Sequence, residues 1–74
     1  MSEAELYEAL RVLVREYIVE PEQEKLLELL DSKETQGIPA PGKGILQSLG
    51  ELKNGRPLTL EHKNLSFQIC NHCV

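Results

Sequence analysis

The chain is expected to fold as a small, mainly α domain of three helices with a C-terminal β-hairpin, a fourth short helix being the alternative for the tail. Three observations carry this expectation. Apolar residues, mostly leucine, recur at helical spacing over residues 6–18, 26–30 and 45–52. A Gly/Pro-rich connector separates the second run from the third. Finally, 74 residues suffice for one domain only, because a chain of this length buries roughly 60% of the surface its unfolded form exposes. At that size apolar burial and ordering entropy nearly cancel, so a disulfide, a metal or a second subunit would add noticeably to stability. A homodimer is therefore compatible with the sequence.

The first helix is expected at about residues 3–19. Ser2 and Glu5 have the spacing of a capping box, in which the hydroxyl accepts from the N–H three residues on and the carboxylate bonds back. Leu6, Leu10, Leu13 and Tyr17 step by four, three and four residues, and Val14 and Ile18 widen the stripe, while Glu8, Arg11, Arg15 and Glu16 face elsewhere. Pro21 cannot continue a helix interior but suits the first turn of a new one, so a sharp bend is expected there. The second helix, about residues 21–35, has Glu22 and Glu24 near its positive end and Leu26, Leu27, Leu29 and Leu30 as its buried edge. Gln36 and Gly37 end it.

In the connector, residues 36–43, Pro39 and Pro41 favour an extended, stiff path. Ile45, Leu46, Leu49 and Leu52 mark a third helix over about residues 44–54, stopped by Asn54 and Gly55 and weakened by roughly 1 kcal/mol at Gly50. In the tail, residues 56–74, Leu58 and Leu60 alternate with polar residues, and His62, Lys63 and Asn64 supply a turn. Leu65, Phe67 and Ile69 then alternate again, as in a hairpin with one buried face. The alternative is a helix capped by Thr59, in which Leu60, Asn64 and Phe67 share a face.

Charge is distributed unevenly. The net charge is −4, but residues 1–35 carry ten acids against four bases, and the remainder two acids against four bases. The acidic half argues against direct binding of nucleic acid, where phosphate neutralisation needs clustered Lys and Arg. No stretch approaches the roughly 20 apolar residues that span a bilayer. The start is acidic where a signal peptide is basic, so the expected location is the cytoplasm. Phe67, Tyr7 and Tyr17 are the only aromatics, which makes the core aliphatic.

Two motifs resemble chemistry-bearing ones. Gly37, four residues, then Gly42 and Lys43 has the spacing of a phosphate-binding loop. That loop aims backbone N–H groups at phosphates and ends in a hydroxyl for magnesium, whereas here Pro39 and Pro41 delete two donors and Gly44 replaces the hydroxyl. The segment is read as a connector. Cys70, Asn71, His72 and Cys73 form a CxxC, with His62 eight residues before Cys70. Two thiolates at this spacing can grip zinc, with His72 and His62 as the local candidates for the remaining positions, or with the cysteines of two chains sharing one ion. The competing reading is a small buried hydrophobe at Cys70 and a frayed end at Cys73. Disulfide-exchange chemistry needs a helix to lower one thiol's pKa, and only Val74 follows the motif.

Catalysis by a positioned nucleophile and base needs a cleft, for which a 74-residue aliphatic bundle has little room. The carboxylates Glu3, Glu5, Glu8, Glu16 and Glu20 fall on faces that must be solvated if the leucines are buried. The functional expectation is thus a non-enzymatic, cofactor-free interaction module: a regulator, inhibitor or accessory subunit docking on a larger protein with a basic surface. Val12 and Val19 share a face off the main stripe, and with Glu16, Glu20 and Glu24 they are the expected partner-binding residues. A small zinc-binding domain using the C-terminal CxxC for stability or dimerisation is the alternative.

Overall fold

The computed structural model describes residues 2–52 and 57–72. They form four helices in chain order: α1 (Glu3–Tyr17), α2 (Glu22–Thr35), α3 (Gly42–Leu52) and α4 (Leu60–His72). The chain is mainly α, as expected. The C-terminal hairpin is not found, and α4 takes its place.

The capping box at α1 is formed. The Glu5 N–H donates to Ser2 Oγ at 3.1 Å, and the Ser2 N–H donates to Glu5 Oε1 at 3.3 Å. That second bond favours the ionised carboxylate and holds the Glu5 carboxyl below its ordinary pKa. The helix ends at Tyr17, short of the expected residue 19, because Ile18 turns extended to enter the core. Gln23 closes this end: its Nε2 donates to the carbonyls of Arg15 at 3.1 Å and Ile18 at 2.9 Å, satisfying oxygens that the terminating helix leaves bare.

α2 begins after Pro21, which occupies its cap rather than its first turn. It ends in a Schellman motif. Gly37 takes a positive φ of 73°, the Ile38 N–H reaches the Lys33 carbonyl at 2.9 Å, and the Gly37 N–H reaches that of Glu34 at 3.1 Å. Of the four leucines expected to form the buried edge, only Leu30 is fully buried; Leu26 and Leu27 are half-buried and Leu29 is exposed. The connector then runs back along α1. The Tyr7 hydroxyl donates to the Ile38 carbonyl, and the Ala40 N–H donates to Glu3 Oε2 at 3.2 Å. α3 starts two residues earlier than expected, at Gly42, and presents Ile45 and Leu49 to the core. Its expected last residues, 53 and 54, lie outside the described ones.

The tail is helical because its end is capped and because four-residue spacing buries more than alternation does. Thr59 caps α4, with Oγ1 accepting from the His62 N–H at 3.2 Å and its carbonyl accepting from the Lys63 N–H at 2.8 Å. Leu65 and Ile69, four apart, turn inward, with Ile69 fully buried; Phe67, which a strand would have put beside them, is 68% exposed. A two-stranded hairpin with no third strand to pair with would be marginal in water.

One continuous core results, with α1 at its centre. α1 and Ile18 supply Leu6, Tyr7, Ala9, Leu10, Leu13, Val14 and Tyr17 together with Ile18 itself, against Leu30 of α2, Ile45 and Leu49 of α3, and Ile69 of α4. α1 packs on all three other helices, and α3 packs on α4. Among the described residues, no helix is long and apolar enough to cross a membrane.

Candidate interaction surfaces

Because α1 is central, its side chains divide sharply. On the inward side, burial of the Tyr7 phenol pushes its pKa up. On the flank facing α2 stands Arg11, which is only 8% exposed although its sequence position suggested a solvated one. Its Nε and Nη2 donate to Asp31 Oδ1 at 3.1 and 2.8 Å, Nη1 donates to Glu8 Oε1 at 3.0 Å, and Nη2 also meets Glu34 Oε1. The guanidinium carbon lies 5.8 Å from the centre of the Tyr7 ring. These contacts, the Glu34 hydrogen bond foremost, push the Arg11 pKa up and keep it charged. Its place one position beyond Leu10 and four beyond Tyr7, on the border of the apolar stripe, was the available sequence signal.

The outward strip of α1 carries Glu5, Glu8, Val12 and Glu16, all exposed, and the exposed Val19 follows just beyond the end of the helix. Val12, on the helix, is 37% exposed, and Val19, just beyond its end, is 53% exposed. Glu20 follows in the turn and Glu24 in the first turn of α2, both exposed. The expected partner-binding residues are thus all on the surface.

The metal candidates separate. His62, in the first turn of α4, places Nδ1 2.6 Å from the Tyr17 hydroxyl, which also accepts the Thr59 N–H at 3.1 Å. His72, at the far end, places Nε2 3.2 Å from Glu3 Oε1. Ten residues of helix hold the two histidines about 15 Å apart, too far to share one ion. Cys70 is exposed on α4 and unbonded to another cysteine; Cys73 lies outside the described residues. Among the described residues, no group of three or more His, Cys, Asp or Glu side chains could hold a metal ion.

A hollow of about 240 Å³ opens between Tyr7, Glu34, Ile38 and Pro39, with Glu3 at its edge. This is below the size of ordinary ligand pockets. Both of its carboxylates are already engaged: Glu34 holds Arg11, and Glu3 accepts from Ala40 and faces His72, contacts that pull its carboxyl below the ordinary value, the Ala40 N–H contributing most. The hollow is therefore a seam between the connector and α1, formed by the Tyr7 hydroxyl bond and the turn at Gly37.

Comparison with family models, with curated proteins and with solved structures returned no match.

Proposed function

We propose that this chain is a non-enzymatic interaction module of the cytoplasm, a regulator, inhibitor or accessory subunit, that docks on a larger protein through the outward strip of α1 and the turn beyond it. The observation that carries the reading is the exposure of Val12 on α1 and Val19 just beyond its end, at 37% and 53%, in a stretch that also exposes Glu5, Glu8, Glu16 and Glu20. Two branched apolar side chains supply the dry centre that an interface needs, and the carboxylates around them supply a charged rim. A basic partner surface would be steered toward that rim and lose speed as salt rises.

The test compares capture from a native lysate by the wild-type chain, by Val12→Asp with Val19→Asp, and by a Glu16→Lys, Glu20→Lys, Glu24→Lys variant, with circular dichroism to verify the helices. A stoichiometric partner held by the wild type and lost by the valine variant is expected. The charge-reversed variant should associate about tenfold more slowly, with a weaker salt dependence. Equal capture by all three proteins would refute the assignment of this surface.

A further inference from the structure

We propose that this chain pairs with a second copy of itself through the outward face of α4. Leu60 and Phe67 are seven residues apart, about 10 Å along the helix axis, and roughly opposite the buried Ile69. Among the described residues they are the two most exposed large hydrophobic side chains, at 75% and 68%. α4 is therefore apolar on two faces, and the chain covers only the one that carries Leu65 and Ile69. Two large apolar side chains this exposed on one line of a helix are a candidate centre for an interface.

The chemistry of this face selects its occupant. Around Leu60 and Phe67 stand Lys63, Asn64, Cys70 and Asn71, all exposed and, Lys63 apart, uncharged. A chain of net charge −4 meets its own copy without carboxylate facing carboxylate only on such a face. The α1 strip, with Glu5, Glu8 and Glu16, would repel its twin. A lipid surface does not fit, because interfacial helices line their apolar face with rows of Lys and Arg, and among the described residues Lys63 is the one cation beside this one.

The two side chains can meet those of a second copy across a two-fold axis. Leu60 and Phe67 lie at equal distances on either side of the midpoint between Lys63 and Asn64. An antiparallel pairing of two α4 helices about a two-fold axis thus sets Leu60 of each copy on Phe67 of the other. Side chains this exposed present about 300 Å² of apolar surface per copy. With the flanking polar residues, the pair approaches the roughly 1,200 Å² at which specific interfaces begin. A contact at this low end is of the size seen in weak, transient association, for which a dissociation constant of about 10–100 µM is expected, affinity not being set by area alone.

Sedimentation equilibrium of the intact chain from about 1 µM to about 1 mM tests this, since the range brackets that constant. Monomer at the low end and dimer at the high end are expected. Leu60→Ser and Phe67→Ser should each weaken pairing about tenfold or more, and Asn64→Lys should do the same by setting a second cation against Lys63 of the other copy at the axis. All three should keep the wild-type helical dichroism. Val12→Ser with Val19→Ser should leave the constant unchanged, which keeps this interface distinct from the docking strip on α1. A monomer throughout the range, an open-ended series of larger species, a dimer indifferent to all three α4 substitutions, or unfolding of the Phe67→Ser protein would each overturn the proposal.

Discussion

Replacing Arg11 by Met separates the charge of this side chain from its packing. Arg11 is 8% exposed, but its carboxylate partners are not equally enclosed: the side chains of Glu8 and Asp31 are 69% and 68% exposed, and that of Glu34 38%. Water screens the first two pairs, so each contributes a few tenths of a kcal/mol, while the Glu34 pair contributes up to about 1 kcal/mol. The approach of the guanidinium to the Tyr7 ring adds about 0.5 kcal/mol. Against these stands the cost of holding a guanidinium away from water, which Met does not incur. Removing Arg11 also leaves no buried carboxylate behind, because its partners can turn to solvent. The expected net loss for Arg11→Met is about 1 kcal/mol, equivalent to about 4–8 °C in Tm for a domain of this size.

Arg11→Ala removes the aliphatic stem as well, at about 0.8 kcal/mol per buried methylene, and should cost about 3 kcal/mol in total. Urea unfolding followed by circular dichroism, at low and high salt, measures both. The Met deficit should shrink with salt and the additional Ala deficit should not. A Met variant as unstable as the Ala variant would show that charge, not packing, keeps Arg11 at this position, and would refute the reasoning.

Three further predictions follow from local geometry. Tyr17→Phe deletes the oxygen that accepts the Thr59 N–H and bonds His62, so it should cost about 1–2 kcal/mol and speed amide exchange in the first turn of α4; exchange unchanged there would remove this hydroxyl as the tie between α1 and α4. Gly37→Ala should cost about 1 kcal/mol in thermal unfolding purely through backbone strain at positive φ, since nothing lies within 4 Å of the added carbon; an unchanged Tm would contradict the left-handed turn. Glu3 and Glu5 have folded-state pKa values below the ordinary 4.5, Glu3 chiefly through the Ala40 N–H and Glu5 chiefly through that of Ser2. Their contribution to stability is complete above pH 4.5 and fades as pH falls through the lowered values. A Glu3→Gln, Glu5→Gln protein should therefore show a shallower acid decline when stability is followed by dichroism, and an identical decline would refute the assignment.

Local signals in the sequence survived folding where a short segment satisfies its own backbone. The capping box at Ser2, the four-three-four stripe of α1, the break at Pro21 and the stop at Gly37 each concern groups within a few residues of one another, and each appears in the structure. The exposure of Val12 and Val19 was legible in the same way, because both were visibly surplus to the stripe. What the sequence left open was settled by contacts between distant residues. The tail could bury Leu65, Phe67 and Ile69 as a strand, or turn the face of Leu60, Asn64 and Phe67 inward as a helix; the helix formed, but it buries Leu65 and Ile69 and leaves Leu60 and Phe67 exposed. The choice fell to the helix because α1 offers a surface for one inward line of α4, while no strand is present among the described residues to extend a sheet. Arg11 became a buried cation only when α2 brought Asp31 and Glu34 beside it, partners 20 and 23 residues away. Periodicity assigns side chains to faces of one helix; how much of each face is covered depends on where the other helices pack, and that same packing left Leu60 and Phe67 in the open.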